Sequence, residues 1–219
     1  SRNEKTGIIM AKQVLVDYIP FQVTPQQINE SMAMNNGRVV VEGVLQRSGA
    51  KNQNGRIYPK DILAREVANY KKIQIAEKRA LGELDHPESS VVNLNNVSHN
   101  ILDCWWNGDD VMGKVEILGT PSGNILKELL QAGILLGISS RGLGSVRELD
   151  EGTVAVEDDF ELICWDFVSN PSTHGAFMKP IQQEGVLAEG VVKNTQSYEK
   201  VNTIIRDILC EMKGCCPVD

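Results

Sequence analysis

The chain has 219 residues and a formal net charge of -7, enough to bury a sizeable core in one domain with appendages. No Lys/Arg block offsets the acidic balance, which argues against nucleic acid as a partner. No apolar run is long enough to span a bilayer, the N-terminus lacks a signal-peptide apolar segment, and five cysteines without regular spacing point to a reducing compartment.

Residues 1–11 are polar and read as a loose segment. Val14, Val16 and Tyr18 alternate with other residues and predict a strand that stops near Pro20. Residues 24–36 are rich in Gln, Asn and Met and fit either a short helix or a loop. Val39–Leu45 is a strand. Asn54-Gly55 marks a tight turn, and Asp61 caps an amphipathic helix over about 61–77 carrying Ile62, Leu63, Val67, Tyr70 and Ile73. A short strand ends at His86-Pro87. Strands over 97–106 and 110–118 flank the two-residue turn Asn107-Gly108. Thr120 and Pro121 open a helix that Gly133 closes. Ile134, Leu135 and Leu136 read as a buried strand leading into the stretch Gly137–Ser145, whose glycines suggest a turn. A further strand runs to Leu149, Thr153–Val156 pairs back on it, and Phe160–Val168 is the last core strand. Residues 196–213 have helical spacing of apolar residues. Many short strands with few helices give an α+β chain, a small, mostly antiparallel barrel or sandwich with packed helices.

The stretch Gly137-Ile138-Ser139-Ser140-Arg141-Gly142 places two serines and backbone N–H groups where nucleophilic catalysis could use them. An ordinary hairpin turn fits the same residues. Of the three histidines, His86 follows Asp85 and precedes a proline that fixes the exit of the strand, as a general base requires. His99 reads as a half-buried sheet residue and His174 as solvated. Asp166, between Trp165 and Phe167, must either face solvent or be paired. Adjacent Cys215 and Cys216 do not have metal-ligand spacing, so no metal is expected.

Four motifs then occur in order: Asn-Gly-Arg-Ile-Tyr-Pro at 54–59, Gly-Glu-Leu-Asp-His-Pro at 82–87, Gly-Ile-Ser-Ser-Arg-Gly at 137–142, and Asp-Phe-Val-Ser-Asn-Pro-Ser at 166–172. Together, over roughly 37–180, the chain resembles the prohead core (procapsid maturation) serine proteases of T-even-type tailed phages, relatives of the herpesvirus assemblins. The resemblance implies a small β-barrel with surrounding helices, no cofactor, and a serine–histidine site. It further implies work inside an immature capsid in the host cytoplasm, on scaffold or core proteins, on capsid protein and on the enzyme itself. Nucleic acid and membrane are not implied, and a homo-oligomer is left open. Carried over, the histidine falls on His86 and the nucleophile on the serine pair. The Gly-apolar-Ser pattern of assemblins selects Ser139, and strand pleating agrees, since Ser140 shares a face with Leu136 and Ile138. Ser140 stays as the alternative. Assemblins use a second histidine, for which neither His99 nor His174 is suitably placed, so Asp166 is assigned to orient His86. Backbone N–H groups of Arg141 and Gly142 form the expected oxyanion hole. The expected organisation is a protease domain over 1–185 and a linker with a helical tail over 186–219, removed by self-cleavage. Cleavage after glutamate makes Glu189 the first and Glu30 the second self-cleavage candidate. The competing readings are a non-catalytic capsid or tail-tube-like barrel and a scaffold-binding module.

Overall fold

Val14, Val16 and Tyr18 mark only the middle of the first strand. In the structure, a computed structural model that describes residues 7–85, 87 and 89–169, β1 runs Ile9–Phe21. It passes through Pro20, which an edge strand tolerates because no partner needs the missing N–H. Residues 9–11, expected to be loose, belong to this strand. The polar segment that follows is helix α1 (Pro25–Met34). It is opened by a capping box in which Thr24 and Gln27 satisfy each other's backbone N–H groups. The ambiguity of this segment resolves to helix because Ile28 and Ser31 find a buried face against the next strand.

Strand β2 (Val39–Arg47) and the short β3 (Arg56–Ile57) precede α2 (Lys60–Tyr70). Pro59, not Asp61, is the cap of α2, so that helix begins without a side-chain hydrogen bond. Its face of Leu63, Val67 and Tyr70 is buried. Leu63 and Val67 are each worth about 1.5–3 kcal/mol of apolar burial. Then come β4 (Leu81–Glu83), β5 (Val97–Asn107), β6 (Asp110–Ile117) and α3 (Pro121–Gln131), which Thr120 caps. The run Ile134-Leu135-Leu136 is not wholly buried: Ile134 and Leu135 are exposed and only Leu136 enters the core. The Gly-rich stretch is no turn either. It lies inside β7 (Leu136–Asp150), a single strand of 15 residues. Strands β8 (Thr153–Val156) and β9 (Glu161–Val168) follow as the alternation predicts. The expected helix over 196–213 and the tail over 186–219 lie outside the described residues.

The strands form two sheets, one in the order β1-β7-β8-β3 with β9 also on β7, the other in the order β2-β6-β5-β4. All pairs are antiparallel except β3 with β8. The sheets meet where Leu84, just beyond β4, bridges Phe167 of β9 in parallel. Gly82 permits this approach, since a side-chain carbon there would stand 2.2 Å from the Trp165 carbonyl oxygen. The core fills the curve between the sheets, with Phe21 edge-on to Phe167 at 5.1 Å and Tyr70 edge-on to Trp165 at 4.8 Å. At the other side β1 pairs only with β7, and β2 only with β6. The α+β class and the mostly antiparallel pairing are as expected. The barrel is not closed, however: it is a curled half-barrel with a seam between β1 and β2.

Candidate active site

The centre of β7 has a partner on each side. Ser139 stands opposite Tyr18 of β1 and Asp166 of β9, and Ser140 opposite Asp17 and Trp165. Directly paired residues share a face of the sheet. One face of β7 therefore carries Ser139, Arg141, Tyr18 and Asp166, and the other carries Ile138, Ser140, Asp17 and Trp165. Ser139 and Ser140 are each 1% exposed. Neither hydroxyl is open to solvent. Ser139 Oγ lies 3.5 Å from the Ser140 carbonyl, and Ser140 Oγ 3.4 Å from that of Asp17. Both are long bonds, leaving the hydroxyls only loosely held.

On the Ser139 face the charged groups form a buried triad. Arg141 Nη2 donates to Glu83 Oε2 at 2.7 Å and to Asp166 Oδ1 at 3.1 Å. Its Nε is 3.0 Å from Asp166 Oδ2 but off the hydrogen-bond axis, so that contact is coulombic only. Asp166 also accepts from the Glu83 backbone N–H at 2.9 Å and from the Cys164 thiol. Burial alone would lower the Arg141 pKa, but Cys164, Asp166 and Glu83 outweigh it and raise it. Burial raises the Asp166 pKa, with Arg141 and the Glu83 N–H opposing. Asp166 is thus paired rather than solvated, and its partner is Arg141.

Arg141 has a further role. Its Nη1 donates to the carbonyls of Ser89 at 3.0 Å and Val91 at 3.4 Å. At the near end of the same segment, the Asp85 N–H donates to the Phe167 carbonyl at 2.6 Å and the Leu84 N–H to that of Asn96 at 3.1 Å. The chain on both sides of position 86 is therefore fastened to β9 and to Arg141. His86 itself lies outside the described residues. Arg141 and Gly142, the expected oxyanion donors, sit in a two-sided ladder rather than in a free turn. The register on the β9 side shifts between them, with Arg141 opposite Cys164 and Gly142 opposite Leu162.

Other candidates fall elsewhere. His99 is fully buried, not half-buried. Its Nε2–H donates to the Trp165 carbonyl and its Nδ1 accepts from Ser98, each at 2.8 Å, an assignment forced because a carbonyl can only accept. Burial lowers its pKa to about 4, so it stays neutral. Glu30 lies in α1, and the following Ser31 bridges the N–H and C=O of Val40, each at 2.7 Å. That removes it from the exposed extended segments. His174 and Glu189 lie outside the described residues. Burial raises the Cys104 pKa to about 11. No group of three metal-ligating side chains is found among the described residues, and no helix among them is long and apolar enough to cross a membrane.

One centre is invisible to motif reading. Asp17, in β1, accepts from Asn52 at 2.6 Å, Asn54 at 2.8 Å, Arg56 at 2.5 Å and the Tyr58 hydroxyl. Burial first, then Asp17, raises the Tyr58 pKa well above its ordinary value. The motif around Asn54-Gly55-Arg56 thus wraps a carboxylate directly across from Ser140. The signal available in sequence is a cluster of donors without an acid among them, which requires an acceptor elsewhere.

Comparisons with known proteins bear on this arrangement. Residues 4–185 match the family described as prohead core protein serine protease. The prohead core protein protease of Enterobacteria phage T4 is 37% identical over 143 residues, which are 64% of this chain and 68% of that protein. The solved structure of the bacteriophage T4 capsid assembly protease superposes with a TM-score of 0.64 at 28% identity, covering 73% of this chain and 99% of the other.

Proposed function

The chain belongs to the prohead core protein serine protease family, and on that premise we propose that it is a serine endopeptidase of phage capsid maturation. Its substrates are the scaffold or core proteins and the capsid protein, inside the assembling prohead in the host cytoplasm. His86 takes the proton of Ser139, whose oxygen attacks the scissile carbonyl. His86 then returns the proton to the leaving amine, and water hydrolyses the acyl-enzyme. Asp166 orients His86, and the Arg141 and Gly142 N–H groups receive the oxyanion. Cleavage follows glutamate, and the tail over 186–219 is removed by cleavage at Glu189.

The observation that supports this most is the grip of Arg141 on Ser89 and Val91. It holds Ser89 and Val91, a few residues beyond position 86, to a side chain on the face of β7 that carries Ser139 and Asp166. The burial of both serines favours a second reading, a non-catalytic barrel. A fluorophosphonate probe separates the two. The proposal expects labelling of the wild type and of Ser140→Ala, but none of Ser139→Ala, together with loss of proteolysis. Because the Ser139 hydroxyl makes one long bond, its removal costs about 1 kcal/mol or less. Full activity in Ser139→Ala overturns the assignment, and a dead Ser140→Ala with an active Ser139→Ala moves it to the neighbour. An unlabelled wild type favours the non-catalytic barrel.

A further inference from the structure

The chain carries three Asn-Gly pairs, at 36–37, 54–55 and 107–108. Such a pair has a chemistry of its own. Glycine has no side chain to shield its nitrogen, so that nitrogen can reach the carbonyl carbon of the asparagine side chain before it. The reaction asks three things of a fold. The glycine N–H must not already be donating, the asparagine side chain must be free to turn back on the main chain, and water must have access. In an unfolded chain the three pairs meet these conditions alike. In the fold they do not.

At 54–55 the groups are committed. Asn54 Nδ2 donates to Asp17 Oδ1 at 2.8 Å and to the Val16 carbonyl at 3.1 Å. The Gly55 N–H donates to the Asn52 carbonyl at 3.0 Å, and Gly55 is buried. At 36–37 both residues are exposed, but the Gly37 N–H donates to the Met32 carbonyl at 2.8 Å and closes the end of α1. The third pair differs from both. Asn107 ends β5 and stands opposite Asp110, the first residue of β6. The two residues of the turn are therefore Gly108 and Asp109, one place further on than the sequence suggests. Asn107 and Gly108 are exposed. Among the described residues neither the Gly108 N–H nor the Asn107 side chain has a hydrogen-bond partner. A side-chain carbon at Gly108 would meet nothing within 4 Å, so the space beside it is open. Lys60 Nζ donates to the Gly108 carbonyl at 2.6 Å and to Asp109 at 2.9 Å. Its positive charge favours loss of the proton from the nitrogen of the same residue. The Asn107–Asp110 pair is also the last of its ladder, where local opening costs least.

We propose that Asn107 is a site of spontaneous covalent modification, with water as the co-reactant. The Gly108 nitrogen attacks Cγ of Asn107, and an N–C bond forms. The side-chain amide nitrogen leaves as ammonia, carrying the proton that the glycine nitrogen gives up. Water then opens the resulting cyclic imide at either of its carbonyls. One opening gives aspartate, the other its β-linked isomer, and nothing is oxidised or reduced. Either product adds a negative charge beside Asp109 and Asp110. The β-linked isomer also adds a carbon to the main chain, so the pairing of position 107 with Asp110 loses its register. The inference does not depend on the peptidase reading.

The test incubates the full wild-type chain, folded, at mildly alkaline pH, beside a reference sample unfolded in guanidinium chloride. Both are digested, and conversion at each Asn-Gly pair is read from the mass of its peptide and from the separate elution of the β-linked isomer. The folded chain is expected to convert first at Asn107. Conversion at Asn54 is expected to be slower by about tenfold or more, because its side-chain bonds and the Gly55 bond must open first. In charge-resolved separation of the intact chain, the first acidic species to form is expected to be missing from Asn107→Gln. First conversion at Asn54 or Asn36 overturns the proposal. So does an Asn107 that stays intact in the fold over the time in which the unfolded sample converts fully.

Discussion

Arg141 is a single cation between two buried carboxylates, so its removal and theirs are not equivalent. Arg141→Met leaves Glu83 and Asp166 facing each other without compensation. Breaking a buried pair in this way costs about 3–5 kcal/mol, and it also frees the carbonyls of Ser89 and Val91. Asp166→Asn leaves a neutral Glu83–Arg141 pair and an oxygen that still accepts from the Glu83 N–H, so it destabilises less. If Asp166 also orients His86, Asp166→Asn slows turnover per folded molecule by roughly 10²–10⁴-fold despite its smaller cost in stability. Urea unfolding of both variants, beside the turnover of Asp166→Asn, checks this. Near-normal turnover in Asp166→Asn leaves it the purely structural role of partner to Arg141. The sequence makes Asp166 conspicuous, because a carboxylate between Trp165 and Phe167 must face solvent or be paired. It does not say which, since the partner is 25 residues away on the neighbouring strand. Glu83 and Asp17 are less visible still. Each looks like an ordinary polar residue of an alternating strand until β4 and β1 are in place.

At the scale of elements, the joint between the sheets is the part most sensitive to conditions. His99 of β5 donates to the Trp165 carbonyl of β9, and its ring lies edge-on to Phe167 at 4.7 Å. This ties the second sheet to the first beside the Leu84–Phe167 bridge. The imidazole is neutral in the fold, with a pKa lowered from 6.5 to about 4 by burial. Below pH 6.5 the unfolded chain takes up this proton and the folded chain does not, so stability falls as the pH drops, until about pH 4. A gap of that size corresponds to about 3 kcal/mol over the window. Urea midpoints measured between pH 7 and pH 4 check this, with His99→Gln expected to flatten the dependence; an unchanged slope in that variant assigns it to other groups. The strand itself is plain in the sequence, since Asn107-Gly108 fixes the hairpin. The depth of His99 is not, because it depends on how closely Gly82 lets β4 approach β9. The Gly137–Ser145 stretch misleads for a related reason. Its glycines make room for Tyr18 and Phe160 packed over β7, not for a reversal of the chain.

For the whole molecule, the half-barrel decides which of its own peptide bonds an enzyme of this kind could reach. A bond enters a protease site only as exposed, extended chain, as in linkers and loop tips. Three segments within residues 7–169 have an apolar residue two before a glutamate and a small one after it, and secondary structure holds each. Glu30 is in α1, with Ser31 locked to Val40. Glu42 is inside β2, paired with Lys114. Glu151 occupies the tight turn between β7 and β8, whose flanking residues are paired. The remaining candidate, Leu187-Ala188-Glu189-Gly190, lies outside the described residues. With the other three held in this way, we propose that self-processing begins at Glu189. Intact-mass analysis of active enzyme beside Ser139→Ala is expected to give a fragment beginning at Gly190 in the active sample only. A first cut at Glu30 instead requires α1 to leave β2 and break both Ser31 bonds, so Ser31→Ala would accelerate it. Active enzyme that stays whole at Glu189 on prolonged incubation ends the self-processing proposal at that bond.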